Sequence, residues 1–337
     1  MTISSQVHSQ AFTFMSYLLG GVDPRTGQYT LSINLPELQC NELSGPAVPV
    51  GLNFNPLNTE DSGYGLGFNF NLSQFNSDTH ILALSTGETF KVTGSGQKPD
   101  IKEQKLDSFH FEDNQDGTYR VVHKSGQVET LELGSSSQDP VALPRRIQSP
   151  TGHSVTLNYV GFRGGRRLES ISDAQGKALL QIKRPPENES LIELLLYPYD
   201  GPQGGPLARY QLKLNGSDWV TEIMLPTEVG GSWRLGYGGG LINGILCLHD
   251  VKTPVGGHET IEYLDAGHPF PVYMQRPNLP RVTRHCSYPG SGQPMMETIY
   301  DYNHLGNSYN FLGFGTSTPV EVGLDTLYLA PASYVYG

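Results

Sequence analysis

The chain is short of charge, of cysteine and of long apolar runs, and each shortage removes a class of protein. Only 16% of its 337 residues are charged, against roughly a quarter in an average globular chain. The balance is acidic, at −11, which argues against nucleic acid because phosphate backbones require a basic face. The one dense basic spot, Arg163-Gly-Gly-Arg166-Arg167, is expected to be a solvated turn between Val160 and Leu168. Cys40, Cys247 and Cys286 are odd in number and far apart, with no Cys-x-x-Cys pair, so they form no disulfide framework. Cys247, flanked by Leu246 and Leu248, is expected to act as a small buried apolar residue. The first twenty residues lack the basic start, apolar core and cleavage site of a signal peptide. Residues 11–19 are apolar but too short to cross a bilayer. The sequence also lacks a Gly-x-Ser-x-Gly elbow, a His-Glu-x-x-His pair, a phosphate-binding loop and a dinucleotide fingerprint. No enzyme activity and no cofactor are expected.

What the chain has in abundance is turn and strand chemistry. It carries 40 glycines, 24 prolines, 18 tyrosines and 13 phenylalanines, a composition too aromatic for disorder. The unit Ile147-Gln-Ser-Pro-Thr-Gly-His-Ser-Val-Thr-Leu-Asn-Tyr159 explains how they are used. Pro150 presets a turn and Gly152 allows a positive backbone angle. After the turn, Val155, Leu157 and Tyr159 alternate with Thr156 and Asn158, the period of a half-buried strand. Similar frames begin at Ile171, Ile223 and Val251. Their spacing fits a repeat of roughly 24–28 residues, with the wide middle gap holding two units, the mark of stacked hairpins.

Before this array, alternation predicts strands over 28–35, 51–56, 65–72, 80–84, 88–92, 109–112, 119–123 and 128–133, joined by Gly- and Asp-rich turns. Residues 20–27 are expected to be a turn, 98–107 the only candidate helix or mobile loop, and 266–297 irregular. Residues 134–140 make the best linker. The expected organisation is a tail over 1–19, a β-meander domain over 20–134 and a hairpin array over 135–337. The alternation Tyr334-Val335-Tyr336 at the end predicts a strand cut off mid-pattern, hence a fragment of a longer chain.

The frame Ile-x-Ser-Pro-x-Gly-x-x-x-x-Leu-x-Tyr resembles the RHS, or YD-repeat, proteins that form the shells of bacterial polymorphic toxins and of Tc-toxin components. Three further stretches look similar to the opening region of large RHS proteins: Asp23-Pro-Arg-Thr-Gly-Gln-Tyr29, Leu82-Ala-Leu-Ser-Thr-Gly-Glu88, and Tyr302 to Asn310-Phe311-Leu312-Gly313. The Tyr-Asp pair stands at Tyr199-Asp200 and Tyr300-Asp301, while Tyr159 and Tyr263 are followed by Val160 and Leu264. The resemblance implies a long β-sheet wound into a hollow shell around a C-terminal toxic domain. The family's self-cleavage motif and toxin domain have no counterpart before Gly337. It further implies a structural role, with the rest of a longer chain or companion toxin subunits as partners. The expected source is a bacterium that makes the protein in its cytoplasm without a standard signal and exports or releases it with the toxin.

Three clusters were weighed as sites. His249-Asp250 with His258 and Glu259 is the densest set for a metal or general base, and ordinary cross-strand polar pairing is the favoured reading. His285-Cys286 lacks an orienting third group nearby. Trp219, Trp233, Tyr197 and Tyr199, with Tyr210 and Tyr237, fall on neighbouring strands and could line an exposed carbohydrate-binding row for a cell-surface glycan. Core packing is the favoured reading of these too. The expected fold is all-β: antiparallel hairpins in a curved, RHS-like sheet or a packed β-sandwich.

Overall fold

The computed structural model describes residues 18–302, apart from 25, 41–44, 47, 49, 97, 103, 105–107, 137–138, 186, 228–230, 271–274 and 291. The expected terminal strand, the segment after Tyr302 and most of the N-terminal tail lie outside the described residues. The fold is all-β: among the described residues there are 23 strands, every ladder is antiparallel, and one 3-10 turn stands at Pro202–Gly204. No helix among the described residues is long and apolar enough to cross a membrane.

The first layer is a four-stranded sheet in chain order: β1 (Leu18–Asp23), β2 (Gln28–Asn34), β3 (Gly51–Phe54) and β4 (Phe68–Phe70). The expected turn at 20–27 is shorter than the sequence suggested. Gly20-Gly21-Val22 extend β1, and the chain reverses only at Asp23, whose carbonyl accepts the Gly27 N–H at 2.8 Å. Tyr29, Leu31, Ile33, Leu52, Phe54, Phe68 and Phe70 all bury on one face, as their alternation requires.

A second group has short strands: β5 (Gln74–Asn76), β6 (Ile81–Ala83), β7 (Thr89–Thr93) and β8 (Asp100–Lys102). It continues through β9 (Phe109–Asp113), β10 (Thr118–His123), β11 (Val128–Glu132) and β12 (Val141–Gln148). The expected helix or loop at 98–107 is corrected by β8, which pairs Asp100–Lys102 with β7. These strands enclose a core of their own, where Phe75 packs against Phe111 and Tyr119 at 4.9 and 4.6 Å between ring centres.

β12 is the branch point. One edge pairs with β11; the other is shared, Val141 and Ala142 going to β5 and Arg146–Gln148 to β13. The β11–β12 register slips between Thr130 and Leu131, where Pro144 supplies no N–H and Arg145 drops out of the ladder. A bulge of this kind bends a strand from one sheet into another.

From there the array runs neighbour to neighbour in chain order: β13 (Ser154–Phe162), β14 (Gly165–Asp173), β15 (Ala178–Lys183), β16 (Leu191–Leu196), β17 (Ala208–Leu214) and β18 (Val220–Met224). It ends with β19 (Ser232–Gly236), β20 (Asp250–Lys252), β21 (His258–His268), β22 (Leu279–Tyr288) and β23 (Met296–Ile299). Among the described residues no ladder joins β23 to β5 or β8 to β9, and the curved sheet branches at β12.

The sequence units map onto hairpins β12–β13, β14–β15, β18–β19 and β20–β21, and the wide gap holds the missing unit as β16–β17. Ile147, Ile171, Ile223 and Val251 are all buried. The turn is a shared device. Ser149, Asp173 and Thr253 each accept an N–H from the residue three positions on, and each donates to the carbonyl four positions on. The left-handed position is filled by Gly152, Gly176 and Gly256, at φ 92°, 82° and 89°, giving a type I turn closed by a left-handed glycine.

Residues 266–297, expected to be irregular, instead hold the end of β21, all of β22 and the start of β23. Gly267 absorbs a bulge where a Cβ would lie 2.5 Å from the Leu279 carbonyl oxygen, and the ladder resumes at His268. Gly and Pro mark a distorted strand here, not its absence.

The domain boundary expected at 134/135 does not match the cores. β1–β4 share one core with the array, bringing Leu31, Leu52 and Phe54 together with Leu157, Ile171, Leu212 and Val251, while β5–β11 form the separate one; β12 joins both, Ala142 in the smaller and Ile147 in the larger. A sheet with one apolar face is stable only against another, and the array's inner face is the partner of β1–β4.

Candidate functional site

One group of ionisable side chains lies between the two layers. Tyr29 opens β2 on its inward face, Glu259 comes from β21 and His285 from β22. The Tyr29 hydroxyl donates to Glu259 Oε2 at 2.8 Å, and His285 Nε2 sits 2.7 Å from the same oxygen. The Tyr29 and His285 rings meet edge-on at 5.5 Å. β1 covers the phenol with Gly20, where any Cβ would collide with the Tyr29 hydroxyl. Burial first, and the Glu259 charge second, push the Tyr29 pKa far above its ordinary value, so Tyr29 remains a proton donor. Sequence reasoning gave His285 no orienting group because Glu259 is 26 residues away in the chain and reaches it only through the β21–β22 ladder. Cys286 is not its partner: neighbours on a strand project to opposite faces, and Cys286 is buried.

The four residues weighed as a metal or base cluster are divided. His258 bonds Asp250 and stacks on Tyr288 at 5.6 Å. Glu259 faces inward to Tyr29, and His249 packs on Tyr263 at 5.1 Å. Burial lowers the His249 pKa and keeps the ring neutral. Burial pushes the Cys247 thiol up to about 12, so it stays an inert apolar group.

The aromatic side chains do not make one exposed row. Trp233, Tyr210 and Tyr237 lie in the core. Tyr237 donates to the Val220 carbonyl at 2.7 Å, and Trp219 is half-buried against its ring at 5.6 Å. The Tyr197 hydroxyl is held by the backbone N–H and carbonyl of Gln39, at 2.7 and 3.2 Å. Of the six, only Tyr199 is exposed.

The basic spot is an exposed turn at Arg163-Gly164, as expected, and its arginines also make ion pairs. Arg163 reaches Asp218 at 2.6 Å and Asp61 at 3.1 Å. Arg166 Nε bonds Asp139 at 2.7 Å while its Nη2 donates to the Glu132 and Val141 carbonyls. Burial works to raise the Asp218 pKa, but hydrogen bonds from Arg163 and Arg184 outweigh it and hold the carboxyl low. The loop before β4 docks alongside. Asp61 Oδ1 accepts the Gly63 and Gly65 N–H groups at 2.8 and 3.1 Å, and the Tyr64 hydroxyl accepts the Leu168 N–H at 2.6 Å. Gly63, at φ 97°, passes so close to β14 that a Cβ would lie 2.6 Å from Arg167 Cδ. The β13–β14 tip thus binds the first layer, the β12 branch and the β17–β18 turn together.

No family model and no curated protein matches the sequence. Among solved structures, TcdB2-TccC3 is similar over 76% of this chain and 17% of its own, at 14% identity and a TM-score of 0.34. The Photorhabdus luminescens Tc holotoxin pore is similar over 80% and 15%, at 11% identity and a TM-score of 0.35. The N-terminal domain of the effector SpvB from Salmonella typhimurium is similar over 80% and 99%, at 12% identity and a TM-score of 0.33. The chain therefore spans about a sixth of the Tc structures it matches. Superpositions at this level carry neither residue correspondence nor function.

Proposed function

We propose that this chain is a non-enzymatic structural segment of an RHS-type toxin shell, one that encloses or presents a C-terminal toxin. The observation that carries this reading is the run from β12 to β23, where each hairpin pairs with the next in chain order. The run ends on a strand whose four residues are all exposed and whose outer edge carries no ladder among the described residues. An open edge offers a row of unpaired backbone groups for a further strand. The partner is the remainder of a longer chain or a companion subunit, and the protein is made in a bacterial cytoplasm and leaves with its toxin. On this reading Tyr29, Glu259 and His285 fasten two layers and perform no chemistry.

Deuterium exchange of the β23 amides tests the proposal. Exchange is expected to slow markedly when this chain is part of its longer protein or bound to its companion subunit, compared with the chain alone. Equal rates in both settings count against a shell segment.

A further inference from the structure

Where the first layer, the start of β12 and the β13–β14 hairpin meet, they leave a solvent-open cavity of about 370 Å³. This falls inside the size range of small-molecule sites, roughly 300–1,000 Å³. Its buried charges are already matched, Asp61 by Arg163 and Asp139 by Arg166, so a charged ligand gains no strong counter-ion there. What remains unspent is of another kind. Ser62, Asn69 and Gln74 line the cavity with Glu60 at its exposed rim, and the four side chains make no hydrogen bond among the described residues. Asp61 is not among the free groups: its Oδ2 is buried against Arg163 and its Oδ1 accepts the Gly63 and Gly65 N–H groups. The half-buried rings of Tyr159 and Phe162 also line it, with Arg166 and Arg163 over one face of each at 5.8 and 5.1 Å.

Amides and a hydroxyl supply donors and acceptors together, and carboxylates supply acceptors. An aromatic wall supplies a flat apolar surface. A sugar ring presents the matching set, with hydroxyls around its rim and C–H groups on its faces. We propose that this cavity binds a neutral mono- or disaccharide. Asn69 and Gln74 hydrogen-bond its hydroxyls, and Tyr159 and Phe162 lie against an apolar face. The site is separate from Trp219, Trp233, Tyr197 and Tyr199, none of which lines it.

Saturation-transfer NMR on the full chain tests this with glucose, galactose, mannose, N-acetylglucosamine, maltose, lactose and cellobiose, and sialic acid as the charged comparator. At least one neutral sugar is expected to show transfer and to titrate in the millimolar range or tighter. The double substitution Asn69→Ala with Gln74→Ala is expected to weaken it by about tenfold or more at an unchanged melting temperature, since two hydrogen bonds are lost. If that variant does not fold, the single substitutions Asn69→Ala and Gln74→Ala carry the same test. The proposal is overturned by silence from every neutral sugar, by stronger binding of sialic acid, or by affinity unchanged in folded variants.

Discussion

Tyr29 donates its hydroxyl proton to a carboxylate that His285 also contacts, so one side chain of the small layer is tied to two strands of the large sheet. Tyr29→Phe keeps the ring and its packing but removes the donor. Urea denaturation is expected to show a loss of about 1.5–3 kcal/mol, the range for a hydrogen bond to a charged acceptor. A variant as stable as the parent would deny the clasp. His249 sets a pH dependence. Because burial lowers its folded pKa, the unfolded chain binds more protons as pH falls below the ordinary histidine value of about 6.5. The contribution of its neutral form is therefore complete above that value and is lost as pH falls towards the lower folded pKa. Melting temperature measured down from neutral pH is expected to decline in the parent and to decline less in His249→Gln.

The hairpin turn is the element that the chain repeats, and its glycine is replaceable only at a conformational cost. Gly176 is at φ 82° with nothing within 4 Å of an added Cβ, so Gly176→Ala isolates backbone strain, about 1–2 kcal/mol. Gly63 is also left-handed but meets Arg167 at 2.6 Å. Gly63→Ala is expected to cost more than Gly176→Ala by thermal denaturation, because it also displaces the loop from β14. Equal losses would mean that the contact with Arg167 yields freely.

At the scale of the whole molecule, the described residues form two apolar cores that meet at β12. Phe75 lies in the smaller core and Phe54 in the larger, and truncating either to alanine is expected to cost about 3–5 kcal/mol. The damage should be local. Phe75→Ala is expected to speed amide exchange in β5–β11 with little change in β14–β22, and Phe54→Ala to do the reverse, as regions with separate cores open separately. Uniform acceleration throughout would show that β12 couples the two cores into one cooperative unit.

The strands and their facing were legible in the sequence, because alternation needs only local information. Leu31 and Ile33 bury as their period demands, and the units at 147, 171, 223 and 251 each became a hairpin. The failures share a cause. Residues 98–107 looked too charged for a strand, but β8 needs only the neighbouring edge of β7. Residues 266–297 looked broken by Gly and Pro, but a bulge at Gly267 keeps the ladder. The turn at Arg163 was read rightly, but its ion pairs were missed because the carboxylates of Asp61, Asp139 and Asp218 are far away in the chain. Hairpin chemistry is set by neighbours, so the sequence alone determined the turns, the alternation and the all-β class. Which layer covers which face, where β12 divides, and which side chains meet between layers depend on long-range burial, and only the tertiary structure decided them.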